Sequence, residues 1–278
     1  DINDLAVLGF WEVFKKLPFF LNLKKHILKD IKKIKPNKII LIDYPGFNLK
    51  IAKEIKNCLN IPIIYYISPQ LWAWKEGRVH SIKKHVDKMI VLFPFEQTWY
   101  KKHDFDVFYF GHPLTETHAA FLKNYKKKTN PASFKIALFP GSRKQELARH
   151  LPLYKKIVFE LNKKNKNLHF IIKLFDAPNF NVKKSLGLTK NFSIENQSAF
   201  QAFHDCDFAL VASGTATLEG AISNAPLAVV YKTSWVSWFL ARLFLRVPFV
   251  SIINILANKK IVEEFLQNKA TAKVIARH

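Results

Sequence analysis

The sequence predicts two α/β domains in tandem, each built on a mostly parallel sheet, with a cleft between them. Three observations predict this. From residue 38 onward, short β-branched or aromatic runs alternate with lysine-rich amphipathic stretches, the pattern of repeated βα units. The length of 278 residues suits two ordinary domains rather than one. A charged stretch without apolar period, ending in Pro131, interrupts the series after residue 124. The expected organisation is a first domain over residues 1–124, a linker over 125–134 and a second domain over 135–278.

In the first domain, strands are predicted at residues 38–42, 63–67, 89–93 and 106–110, with helices at 47–59, 77–86 and 95–102. The first of these helices places Leu49, Ile51, Ala52, Ile55 and Leu59 near one face. In the second domain a strand at 135–139 leads into a long helix reaching about residue 164. Strands follow at 168–174, 192–195, 208–211 and 227–231, with a helix through Leu218. No internal repeat is visible.

Composition narrows the class. Apolar residues make up 49% and charged residues 23%, which excludes a disordered, collagen-like or low-complexity chain. Two cysteines, Cys58 and Cys206, are too few for a disulfide framework and lack metal-ligand spacing, so a reducing compartment is expected. The net charge of +23 attracts polyanions in general, but only six of the 44 basic residues are arginine and the lysines are dispersed along the chain. That dispersion reads as solvated helix faces rather than a nucleic-acid surface, with the anionic surface of a membrane as the third possibility. No run of 18 apolar residues is present to span a bilayer.

In open α/β sheets, ligands bind beyond the carboxyl ends of strands. After residue 139 comes Pro140-Gly141-Ser142-Arg143, opening the long helix: glycine permits close backbone approach, and free N–H groups at a helix N-terminus face an anion. After residue 211 comes Ala212-Ser213-Gly214-Thr215-Ala216-Thr217-Leu218-Glu219, a second such turn, with Glu219 placed to accept hydrogen bonds from a ribose diol. Each turn is also ordinary capping chemistry; two in one domain point to a nucleoside diphosphate. In the first domain, Asp43 ends the first strand in Asp43-Tyr44-Pro45-Gly46-Phe47-Asn48, a position suited to a general base or a turn residue. Ser68-Pro69-Gln70-Leu71-Trp72-Ala73-Trp74 follows the second strand; its tryptophans line a pocket or pack beneath one. His112 follows the fourth strand at the domain junction, a position that suits a hinge hydrogen-bonder more than a catalyst.

Taken in order, these motifs, together with Phe93-Pro94-Phe95-Glu96, Gly111-His112-Pro113 and residues 247–257, resemble the lipid-A-disaccharide synthase family over nearly the whole chain. The resemblance implies a GT-B type glycosyltransferase with two Rossmann-like domains. Such an enzyme joins UDP-2,3-diacylglucosamine to 2,3-diacylglucosamine 1-phosphate with inversion and releases UDP. On that resemblance, Asp43 is the catalytic base. Gly141, Ser142, Arg143, Ser213, Gly214, Thr215 and Glu219 hold the UDP-sugar, and Asn48, Ser68, Trp72, Trp74 and His112 lie on the acceptor side. Many family members carry a second aspartate where this chain has Gly46, so the base is placed at Asp43 alone. No metal and no cofactor is implied, because helix N-termini can supply the positive field.

The apolar start of the chain, with Leu8, Phe10, Trp11, Phe14, Leu17, Phe19 and Phe20 followed by Lys24 and Lys25, suits either a core helix or an element resting on anionic lipid. The resemblance favours the membrane contact, and with it a cytoplasmic protein peripheral to the inner face of the inner membrane and binding no nucleic acid. The aromatic stretch from Trp235 to Phe244, with Arg242 and Arg246, reads as another such surface or as a domain-crossing helix. The chain opens on Asp1 inside an amphipathic segment, so part of the first domain is expected to lie outside this sequence, as are the family's final helices. Two other readings stay open: a cell-wall transferase using UDP-N-acetylglucosamine, and a catalytically silent basic membrane-binding protein.

Overall fold

The computed structural model describes residues 17–126, 133–174, 186, 191–196, 198–244 and 247–278. The chain forms two compact units, Asp1–Gly111 and His112–His278.

In the first unit, helix α1 (Leu17–Ile34) precedes β1 (Ile39–Ile42), α2 (Pro45–Cys58), β2 (Ile63–Tyr66), α3 (Val79–His85), β3 (Lys88–Val91), α4 (Pro94–Lys101) and β4 (Phe108–Tyr109). The strands pair in parallel in the order β1-β2-β3-β4, with Ile39 opposite Ile63 and Ile90 opposite Phe108. Alternation along the strands sends Ile63, Tyr65, Met89 and Val91 into a core closed by Ile51 and Ile55 of α2 and by Val79 and Ile82 of α3. The opposite face of β1 leaves Ile40 and Ile42 exposed. Helix α2 starts two residues before the expected 47, because Pro45 sits in the first turn, where its missing N–H costs nothing. The fourth strand is shorter than the expected 106–110.

In the second unit, α5 (Pro113–Asn124) is followed by β5 (Phe134–Phe139), α6 (Lys144–Lys164), β6 (Leu168–Lys173), β7 (Phe192–Glu195), α7 (Ala199–Asp205) and β8 (Phe208–Val211). Then come α8 (Thr215–Ile222), β9 (Leu227–Tyr231), α9 (Trp235–Phe244), α10 (Ile252–Ala257), β10 (Glu263–Leu266) and α11 (Ala272–Arg277). Six parallel strands run in the order β10-β9-β8-β5-β6-β7. Both faces are covered: Leu151, Tyr154 and Ile157 of α6 pack on one, and Ala202 and Phe203 of α7 on the other, so the central strands are apolar throughout. The winding reverses between β5 and β8, and the turns beginning at Pro140 and Ala212 leave the sheet there, side by side. This is the topological switch point at which such sheets bind ligands.

The elements expected above do not include α5, α7, α10, β10 or α11. Residues 113–124, expected in the first domain, form α5 in the second unit, ahead of the expected linker; residues 127–132 of that linker lie outside the described residues. Strand β10 opens on Glu263 and Glu264, which hides it from a hydropathy reading. Glu264 is spent on the backbone N–H groups of Val250 and Ser251, at 3.1 and 2.9 Å, and on the Asn254 amide at 2.8 Å.

Candidate active site

The two turns at the switch point of the second unit line one cavity of about 300 Å³. Gly141, Ser142 and Arg143 border it from the start of α6, and Ser213, Gly214, Thr215 and Glu219 from the start of α8, with Phe139 and Ala212 between them. Gly141 has φ 104°, and a Cβ there would lie 2.5 Å from Glu146 Oε2 and 2.9 Å from Glu146 Cβ. Gly214 has φ 144° with open space around it, and its carbonyl accepts from the Thr217 hydroxyl at 2.7 Å, tightening the entry to α8. Ser213 donates to the Val250 carbonyl at 3.3 Å.

The N–H groups of Ser142 and Arg143 point at Glu146 Oε2, at 3.2 and 3.4 Å, and the Arg143 guanidinium lies 3.5 Å from its other oxygen. This is a capping box: a carboxylate occupies a helix N-terminus that attracts anions. The bonds are long, at the weak end for a charged acceptor, so this helix N-terminus is not tightly closed by its own carboxylate. Across the cavity, burial pushes the Glu219 carboxyl up, while the charge of Lys173 pulls it down. Lys173 is itself buried at the end of β6, donating to the carbonyls of Leu174 and Asn196 at 2.8 and 3.2 Å.

Two buried groups stiffen the cavity wall. The Tyr154 hydroxyl reaches the carbonyls of Phe139 and Leu210 at 3.2 and 3.1 Å, tying β5 to β8. His150 lies between the Pro140 carbonyl, 2.7 Å from its Nδ1, and the Lys232 N–H, 2.9 Å from its Nε2. One ring nitrogen therefore donates and the other accepts, which requires neutral imidazole, and burial lowers the histidine's pKa accordingly. Glu146, Lys173, His150 and Tyr154 were not singled out from the sequence. Only Glu146 carried a signal there, as an acidic residue three positions after the helix-opening Arg143.

In the first unit, Asp43 and Tyr44 both have positive φ, 47° and 48°, a strained pair for residues other than glycine. Their conformation is over-determined. The Asp43 N–H donates to the Tyr66 carbonyl at 2.9 Å; its own carbonyl accepts from the Tyr65 hydroxyl at 2.6 Å and from Asn48 Nδ2 at 2.8 Å. Asn48 also donates to the Ile42 carbonyl at 3.0 Å. The bonds that Asp43 itself makes fall on its backbone atoms, and its exposed side chain makes no hydrogen bond or ion pair among the described residues. Asn48 thus holds the turn that presents the carboxylate.

The remaining acceptor-side candidates are placed less uniformly. Ser68 is buried, with its hydroxyl 2.7 Å from that of Tyr100 and 3.0 Å from the Pro69 carbonyl. Trp72 donates to Glu96 at 3.2 Å and packs edge-on against Phe95. Glu96 also accepts from the Leu92 and Phe93 N–H groups at 3.1 and 3.0 Å, yet burial outweighs these donors and pushes its carboxyl up to about 6. Trp74 remains open to solvent, with the Lys75 ammonium 4.5 Å over its ring. His112 belongs to the second unit and caps α5, its Nδ1 accepting from the Leu114 N–H at 3.1 Å. Ser68 and Trp72 hold the loop, Asn48 holds the turn at Asp43, and Trp74 presents surface.

Of the N-terminal apolar set, Leu8, Phe10, Trp11 and Phe14 lie outside the described residues. Leu17 and Phe19 are exposed at the start of α1, while Phe20 packs with Tyr44 and Phe47, ring centroids 6.1 and 5.7 Å away. Farther along α1, Ile27, Leu28 and Ile31 join the core. The helix is thus a core element that keeps an exposed apolar end.

Solved structures share this architecture. The chain superposes on UDP-GlcNAc 2-epimerase from Neisseria meningitidis, bound to UDP-GlcNAc, with a TM-score of 0.59 at 13% identity, covering 98% of this chain and 82% of that one. It superposes on the spinosyn rhamnosyltransferase SpnG, complexed with thymidine diphosphate, with a TM-score of 0.54 at 11% identity, covering 95% and 70%. Two parallel α/β units with this likeness define the GT-B class of fold, and the family model that matches makes the chain a glycosyltransferase of that class. The family model for lipid-A-disaccharide synthetase matches residues 1–278. Lipid-A-disaccharide synthase 1 of Legionella pneumophila (strain Philadelphia 1) is 38% identical over 284 residues, covering 100% of this chain and 74% of the relative. Lipid-A-disaccharide synthase of Myxococcus xanthus is 35% identical over 289 residues, covering 99% and 73%. The chain belongs to the lipid-A-disaccharide synthase family. That match over all residues disfavours the cell-wall and silent-protein readings.

Proposed function

We propose that this chain transfers the diacylglucosaminyl group of UDP-2,3-diacylglucosamine to the 6-hydroxyl of 2,3-diacylglucosamine 1-phosphate, with inversion, giving the disaccharide 1-phosphate of lipid A and UDP. The observation that carries the reading is the cavity on which both helix-opening turns converge, in a chain of this family.

In this reading the N–H groups opening α6 and α8 hold the pyrophosphate, with Arg143 adding a full charge as the bond from the anomeric carbon to the UDP oxygen breaks. Glu219 accepts from the ribose hydroxyls, with the charge of Lys173 opposing the burial that raises its carboxyl. Asp43 takes the proton of the acceptor hydroxyl as that oxygen bonds to the anomeric carbon. Its carboxylate has no structural duty to give up, because the bonds that fix its turn are made by its backbone. Asn48 and Trp74 contribute to the acceptor side. Both substrates carry acyl chains, which supports a peripheral position on the anionic inner face of the membrane, with the exposed end of α1 contacting lipid. Among the described residues no helix is long and apolar enough to cross a membrane.

The test is UDP release from purified protein given both lipid substrates, compared with release when UDP-N-acetylglucosamine replaces the acylated donor. Turnover confined to the acylated pair is expected. Equal turnover with the plain sugar nucleotide would overturn the substrate assignment.

A further inference from the structure

Helix α9 exposes one apolar side. A surface helix ordinarily turns its apolar stripe to the core. Here Trp235, Val236, Phe239 and Leu243, which fall on one side of the helix at i, i+1, i+4 and i+8, are 65%, 70%, 68% and 65% exposed. Nothing local compels this: Ser234 caps the helix, its Oγ accepting from the Ser237 N–H at 3.0 Å, so α9 is well formed while presenting an apolar side to solvent. Beside it runs a groove of about 400 Å³, lined by Trp235, Trp238 and Phe249 together with Arg242, Lys260 and Lys269.

The charges decide what covers this face. Of the acidic groups nearby, Glu264 is spent on backbone N–H groups and Asn254, and Glu263 pairs with Lys260 at 2.5 Å. Arg242 and Lys269 make no ion pair among the described residues, so an apolar strip lies beside two uncompensated cations. A second copy of a chain carrying +23 would bring like charge against like. An anionic bilayer matches both features, since aromatic side chains settle at headgroup depth and basic residues find phosphate there.

We propose that α9 is an interfacial anchor on the second unit: it lies in the plane of an anionic phospholipid surface with Trp235, Val236, Phe239 and Leu243 inserted, and Arg242 and Lys269 on lipid phosphates. This rests on the membrane-surface reading above and adds a contact separate from α1. Two anchors suit lipid binding, because one shallow insertion alone holds a protein only marginally.

Cosedimentation of the purified chain with vesicles of phosphatidylcholine, with and without phosphatidylglycerol, tests it. Trp235→Ser combined with Phe239→Ser is expected to weaken binding to the anionic vesicles by about tenfold or more, the loss of two inserted aromatic rings. Arg242→Glu should reduce the preference for phosphatidylglycerol. UDP titration of the same variants should match wild type, which confirms folding and keeps the outcome separate from the fate of the nucleotide site. Undiminished vesicle binding by the double variant, with loss confined to Phe19→Ser combined with Leu21→Ser, would overturn the α9 anchor alone. Absence of binding by wild type would overturn it together with the membrane reading, and a dimer abolished by the double variant would assign the face to self-association instead.

Discussion

Replacing Gly141 by alanine probes the nucleotide cavity at its tightest point. Two costs are separable. An L-residue forced to φ 104° carries strain of about 1–3 kcal/mol. The new methyl group also meets Glu146 Oε2 at 2.5 Å and Cβ at 2.9 Å; the carboxylate can swing away, but then it leaves the Ser142 and Arg143 N–H groups uncapped, at about 0.5–2 kcal/mol. Gly214→Ala is the internal control, because φ there is 144° and nothing lies within 4 Å of the added atom, so only strain applies. Both variants should be destabilised in urea, Gly141→Ala by about 1 kcal/mol more. Calorimetric titration should show UDP binding weakened by about tenfold or more in Gly141→Ala, corresponding to about 1.4 kcal/mol. Wild-type UDP affinity in Gly141→Ala would refute the view that the turn opening α6 holds the diphosphate by its backbone.

Asp43→Asn should abolish UDP release while leaving the unfolding midpoint within about 0.5 kcal/mol of wild type, since asparagine tolerates positive φ and the backbone bonds remain; retained turnover would remove Asp43 from the chemistry. His150→Ala should cost about 2–3 kcal/mol in urea denaturation, by leaving the Pro140 carbonyl and the Lys232 N–H unpartnered, and should loosen UDP binding with it. The two units should answer pH oppositely. Glu96 has its carboxyl raised from 4.5 to about 6, so it binds more proton folded than unfolded in that window, and its contribution to the first unit declines by about 2 kcal/mol as pH rises through it. His150 is lowered from 6.5, so its contribution to the second unit is present above that pH and is lost as pH falls below it; Glu96→Gln should remove only the first effect in pH-dependent denaturation.

The βα rhythm was legible because parallel strands buried in a sheet read as apolar runs, as at β5 and β9, and because strand ends followed by glycine mark the switch point. The seven residues read as UDP-binding from motif order do line a single cavity. What stayed hidden depended on contacts distant in sequence. Glu264 looks like a solvent residue until its carboxylate is seen holding Val250 and Ser251, and His150 looks like one polar position in a long helix until Pro140 and Lys232 are found on its two nitrogens. The resemblance put Ser68 and Trp72 on the acceptor side; in the fold Tyr100 and Glu96 engage their polar atoms. The aromatic stretch of α9 was noticed in the sequence; which of its residues are exposed shows only in the fold.

Amide hydrogen exchange with and without UDP examines the nucleotide site most directly. Protection concentrated at residues 141–144 and 214–217 is the predicted result. Slowed exchange elsewhere in the chain, with those two turns unchanged, would contradict it.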